Sequence, residues 1–108
     1  MRRLYYSSGY ILIDDRVCKA VLRYARALAV SNKSDVVTVP VITDGGSRGN
    51  AHLLIGPASE LFSTPVDNSP AEGYDPDVVR DLERMTAELQ EFRPGWETEM
   101  TDIADFDL

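Results

Sequence analysis

Thr43 to Ser59 reads TDGGSRGNAHLLIGPAS, in which three glycines and Arg48 precede an apolar run that stops at Gly56-Pro57. A glycine loop that cradles phosphate leads into a helix whose first amides point at the anion. Here a strand-like run, Ala51 to Ile55, follows instead, so the loop reads as the tip of a hairpin with Arg48 exposed. Gly56 and Ser59 are the better ligand candidates, because free amides at a strand end form a small anion nest. Their spacing, G-P-A-S, is that of an ordinary turn and lacks the serine-centred glycines of a nucleophile elbow.

The remaining groups capable of chemistry stand singly. His52 is the one histidine; it suits a general base with Ser59 or an aspartate beside it, yet no triad spacing is visible. Asp14 and Asp15 are adjacent carboxylates that could hold magnesium or act as acid and base. Both also coincide with a helix start, where capping accounts for them. Cys18, the single cysteine, lies in the first turn of that helix on a wide apolar face, which favours a buried, inert thiol. One histidine and one cysteine do not make a zinc site, so neither metal nor cofactor is expected.

Two helical stripes are more informative. Arg16, Lys19, Arg23 and Arg26 recur at three, four and three residues, which sets four positive charges along one face. That face is open to three readings: a solvated surface, pairing with acidic parts of the same or another chain, or binding of phosphate or nucleic acid. Val78, Leu82, Met85, Leu89 and Phe92 recur at four, three, four and three, a narrow apolar stripe of the kind that meets one partner helix or a groove.

The elements that must carry these residues follow from periodicity. Tyr10 to Ile13 reads as a buried strand, with Tyr5 and Tyr6 extending it backwards, and Asp14-Asp15 opens a helix over about 16–30. VVTVPVI, Val36 to Ile42, is a second strand whose Pro40 belongs at an edge or bulge. The loop 43–50 and a third strand, Ala51 to Ile55, come next. The segment after Gly56-Pro57 is either a helical turn or an irregular strand. Asp75-Pro76-Asp77 starts a second helix, which Pro94-Gly95 ends. The expectation is one α+β domain over 1–95, β-α-β-β-α, with a short three-stranded mixed sheet in two or three layers. Residues 96–108 form an acidic tail, partly docked or disordered.

A chain of 108 residues suffices for one core. The net charge of −7 is split unevenly. Met1 to Val66 holds eight Lys/Arg against five Asp/Glu, whereas Asp67 to Leu108 holds three against thirteen. Such an acidic chain is a poor binder of nucleic-acid backbone, whose affinity comes from concentrated Lys/Arg. No apolar stretch approaches the roughly 20 residues of a membrane span, no signal peptide is evident, and a lone thiol fits a reducing compartment, so a cytoplasmic location is expected. Both long strands look apolar on both faces, and a second subunit covering one of them makes a homodimer the expected assembly.

The expected function is a small, non-catalytic binding or protein-interaction module acting through the second helix, the tail and the basic stripe. The alternatives are nucleic-acid or phosphate binding through Arg16, Lys19, Arg23 and Arg26, and a small enzyme with a site near His52 and Ser59.

Leu4-Tyr5-Tyr6, then Ile13-Asp14-Asp15-Arg16 opening a helix, a hairpin, a proline-containing break and a last helix give a layout that resembles a family of small uncharacterised actinobacterial proteins of about this length. The segment 56–61 departs from that layout. The resemblance implies no activity, and it assigns no functional residue.

Overall fold

The computed structural model describes residues 1–7, 9–43, 45–66 and 74–90. Seven elements follow one another: β1 (Arg2–Tyr6), β2 (Gly9–Ile13), α1 (Asp15–Val30), β3 (Asp35–Ile42), β4 (Arg48–Ile55), β5 (Leu61–Pro65) and α2 (Pro76–Gln90). The strands make one five-stranded sheet in the order β4-β3-β2-β1-β5. Every neighbouring pair is antiparallel. The α+β class stands, but the expected three-stranded mixed sheet and β-α-β-β-α order are corrected to five antiparallel strands in the order β-β-α-β-β-β-α.

Three local causes explain the difference. Residues 5–6 do not extend β2; Tyr6 pairs with Gly9, and Ser7, at φ 58°, supplies the left-handed residue that a tight hairpin requires. That turn carries no Asn-Gly or Asp-Gly signal. Leu61 to Pro65 pairs along the whole of β1, with Ser59 N–H to Gly56 C=O (3.1 Å) closing the turn before it. Finally, the connection through the 16 residues of α1 does not bring the chain back parallel to β2: β3 pairs with it antiparallel, at Leu12 and Ile42.

That single meeting point leaves most of β3 paired on one side only, by β4. Pro40 thus sits in an effectively edge-like stretch, where a missing N–H is tolerated. Thr43 to Ser47 is the β3–β4 hairpin loop, closed by Thr43 N–H to Ser47 C=O (2.8 Å) and with Gly46 at φ 82°.

Alternation sorts the strands into two faces. Leu4, Ile13, Val37, Val39, Val41, Leu53 and Ile55 point inward and form one core with Val17, Cys18, Val21, Tyr24 and Leu28 of α1 and Leu82 of α2. Both helices therefore serve the same side of the sheet. The sheet also curls. A flat one would hold β1 and β4 three spacings, about 14 Å, apart, beyond the reach of a tyrosine, yet the Tyr6 hydroxyl donates to the Leu54 carbonyl. Among the described residues no helix is long and apolar enough to cross a membrane.

Both helix starts are capped by their own sequence. Asp14 accepts from the amides of Arg16 (2.8 Å) and Val17 (3.4 Å), and Asp75 accepts from those of Asp77 (3.0 Å) and Val78 (3.4 Å).

Candidate functional site

The outward positions of the sheet are Arg3 and Tyr5 on β1, Tyr10 and Leu12 on β2, Val36, Thr38, Pro40 and Ile42 on β3, Arg48, Asn50, His52 and Leu54 on β4, and Phe62 and Thr64 on β5. No Asp or Glu stands at any of them, in a chain that has 18. Large apolar groups are left uncovered there: Leu54 and Phe62 are each 59% exposed, Val36 57% and Tyr10 49%.

An aromatic row crosses β2, β1 and β5. Tyr5 is the register partner of both Tyr10 and Phe62, so the three rings stand side by side. The Tyr5 and Phe62 rings stack at 4.4 Å and 9°, and Tyr10 leans on Tyr5 at 5.6 Å. Arg3 lies 5.4 Å from the centre of the Tyr10 ring, close enough for a cation–π contact. The row ends in a shallow groove of about 380 Å³, floored by Tyr5, Tyr6 and Phe62 and rimmed by Ser7, Ser59 and Glu60. Across the sheet, Thr38 and His52 Nδ1 are 2.9 Å apart, and Val36 faces Leu54 in register.

The residues singled out from sequence are distributed around this surface rather than gathered in it. Ser59 rims the groove, but its hydroxyl accepts from the Gly56 amide at 3.0 Å, so the turn consumes the amide that a nest would offer. Gly56 is small for packing: a Cβ there would stand 2.7 Å from Ser34 Oγ. His52 is committed to Thr38 on the open face while Ser59 belongs to the turn, so no acid, base and nucleophile converge. Asp14 and Asp15 do not share a site either. Asp14 is a buried cap, and Asp15 pairs with the Met1 amino group at 3.0 Å. Among the described residues no three His, Cys, Asp or Glu side chains are grouped as a metal would need.

Of the basic stripe, Arg16 is engaged locally. Arg16 pairs with Asp14 at 3.4 Å and lies 3.3 Å from the centre of the Tyr74 ring; Lys19, Arg23 and Arg26 are half-buried along α1. The apolar stripe of α2 faces its own chain. Leu82 is buried, and Val78, Met85 and Leu89 are half-buried against the same core. Phe92 lies outside the described residues, as do Pro94-Gly95 and the tail 96–108. Cys18 is fully buried, and burial pushes its thiol up from the ordinary value. Tyr24 is held protonated in the same way, by burial first and then by its hydrogen bond to Asp35.

Sequence reasoning passed over the open face because its residues come from five strands, of which β1 was read as an extension of β2 and β5 was left open between a helical turn and an irregular strand. The signal was present in β1, β2 and β5, where Tyr5, Tyr10 and Phe62 fall at outward positions, but it becomes a row only once the register is known. No protein-family model matches the chain, and no match was found among curated proteins or solved structures.

Proposed function

We propose that the chain is a non-catalytic binding module whose working surface is the outer face of its sheet, and that its partner is a protein segment combining apolar side chains with negative charge. The observation that carries this reading is the composition of the face: exposed Tyr10, Phe62, Val36 and Leu54 beside Arg3 and Arg48, with no carboxylate among the outward positions. Aromatic and apolar anchors supply the binding energy, and a surface of one sign steers a partner of the other. A second copy is served less well, because two such faces would set Arg3 and Arg48 against the same arginines with only Glu60 at the groove rim to offset them. A nucleic-acid strand would find rings to stack on. Two arginines, however, neutralise few phosphates, so little counterion release supports it.

The test is selection of displayed random peptides on the full chain. Binders enriched in aromatic or aliphatic residues with Asp or Glu, and lost on Phe62→Ser and Tyr10→Ser, are the expected result. Binders indifferent to both substitutions would remove the reading, and affinity for single-stranded DNA that falls steeply with salt would replace it with the nucleic-acid alternative.

A further inference from the structure

In an antiparallel pair of strands, hydrogen-bonded and non-bonded residue pairs alternate. Thr43 N–H donates to Ser47 C=O where the β3–β4 loop closes, so in the same register the odd-numbered residues of β4, Gly49 to Ile55, are the ones bonded to β3. The amides and carbonyls of Arg48, Asn50, His52 and Leu54 therefore point the other way, along the outer edge of the sheet, where β4 is the terminal strand. The Leu54 carbonyl accepts from the Tyr6 hydroxyl. Among the described residues, no hydrogen bond reaches the backbone of the other three on that side. A long strand edge is a template for a further strand, and proteins ordinarily blunt one with charges, a proline or a cover. β4 has no proline, and its one charge, Arg48, stands at its end.

This edge leads to the aromatic groove. Tyr6 belongs to both: its ring lines the groove beside Tyr5 and Phe62, and its hydroxyl sits on the Leu54 carbonyl. The edge thus has a groove for a large apolar side chain at its Leu54 end and a cation at its Arg48 end. Asp75 shares a small cleft with Arg48, but its carboxylate already caps α2. Positions 48 and 54 are six residues apart, about 20 Å along a strand.

We infer that the partner segment binds in extended form, as a further strand antiparallel to β4. Its backbone bonds to Arg48, Asn50 and His52; an aromatic or large aliphatic side chain near its N-terminal end enters the groove, and an Asp or Glu near its C-terminal end meets Arg48. This rests on the outer face being the working surface. The antiparallel direction is the one every neighbouring pair of this sheet already uses, and it is slightly the more stable per residue. Backbone pairing supplies affinity, and the sites at the two ends supply choice of sequence. Side chains on one face of a strand recur every second residue, so the apolar residue precedes the acid by an even number of positions, about six to eight. A second copy of β4 fits the edge less well, since RGNAHLLI offers Arg48 no acid.

The probe is the tightest peptide from the displayed selection, resynthesised, and the readout is amide hydrogen exchange of the full chain followed by NMR. In the free chain the Asn50 and His52 amides exchange fast, and those of Ala51 and Leu53 exchange slowly. With saturating peptide, exchange at Asn50 and His52 is expected to slow by about tenfold or more. N-methylation of the peptide residues that face β4 should weaken binding by about tenfold each, while N-methylation of the alternate residues leaves it unchanged. Selection repeated on Arg48→Glu should replace the acid of the peptide by Lys or Arg at the same spacing. Peptides that require Phe62 and Tyr10 yet leave the Asn50 and His52 amides in fast exchange overturn the inference and leave the face standing. Slow exchange of those amides in the free chain means that the edge is already occupied and overturns it too, the occupant being a second copy where the protection rises with protein concentration. Peptides indifferent to Phe62 and Tyr10 remove the face, and the inference falls with it.

Discussion

Leu82→Ala separates two incompatible roles for α2. Leu82 is 2% exposed and is the fully buried residue of that helix, flanked by half-buried Val78, Val79, Met85 and Leu89. Truncating a buried leucine removes its transfer free energy and leaves a cavity, about 2 to 5 kcal/mol in well-packed cores. Here the flanking side chains are only partly enclosed and can settle into the gap, and alanine is a slightly better helix former, so the lower half of that range, about 2 to 3 kcal/mol, is expected. For a chain of this size that lowers the melting temperature by roughly 8 to 20 °C. Urea unfolding followed by far-UV circular dichroism should show a lower midpoint with an unchanged slope. Leu82→Met, which conserves volume, should cost less than about 1.5 kcal/mol. The measurement is made at two protein concentrations. A core contact within one chain gives a midpoint independent of concentration, whereas a stripe buried against a second subunit gives one that rises with it. A cost below about 1 kcal/mol, or a concentration-dependent midpoint, would refute the assignment of this stripe to the chain's own core.

Three further outcomes follow from named contacts. Asp14→Ala removes the acceptor for the Arg16 and Val17 amides and should destabilise the chain by about 0.5 to 2 kcal/mol, while Asp14→Asn, which keeps a side-chain oxygen, should recover most of the loss in the same urea titration. Gly56→Ala drives a Cβ to 2.7 Å from Ser34 Oγ and should cost about 1 kcal/mol; in a Ser34→Ala background the cost should shrink, and an unchanged cost would mean that the backbone of the turn, rather than this contact, demands glycine. Folding holds both the Cys18 thiol and the Tyr24 phenol protonated beyond their ordinary range. The unfolded chain then binds fewer protons than the folded one at alkaline pH, so stability is complete below about pH 8 and falls as pH rises through 9 and 10. Cys18→Ala and Tyr24→Phe should each flatten that decline, and a decline that neither variant alters would place its cause elsewhere.

How much of the fold was legible depends on how local each signal is. Both helices were readable because capping aspartates, the proline at position 76 and 3.6-residue periodicity act within one element. The β3–β4 hairpin was readable for the same reason, its glycines preceding an apolar run. The β1–β2 hairpin was not, because Ser7 adopts the left-handed region without the glycine or asparagine that ordinarily announces it. β5 escaped as well. Its sequence, LFSTP, is half polar, and only pairing along the whole of β1 makes it a strand. The antiparallel arrival of β3 is a matter of where α1 leads the chain, which no window of sequence reports.

The same distinction governs the site. Reading the sequence for chemistry favours residues that cluster along the chain, such as Gly56 with Ser59, Asp14 with Asp15, or four cations on one helix. In the fold several of these are absorbed by local work: Gly56 and Ser59 in a turn, Asp14 in a cap, and Arg16 of the four cations in a pair with Asp14 and a stack on Tyr74. The surface that remains open is assembled from residues far apart in sequence, of which Tyr5 and Phe62 are 57 positions apart and meet ring on ring. Its most telling property is an exclusion. A chain with 18 carboxylates keeps every one off the outward positions of five strands, although solubility alone would favour placing some of them on an exposed, apolar sheet face. A face that had only to meet water has no reason to refuse charge of one sign. A face that must receive acidic, apolar chain has two, since each carboxylate would repel the ligand and would lose its own hydration beneath it.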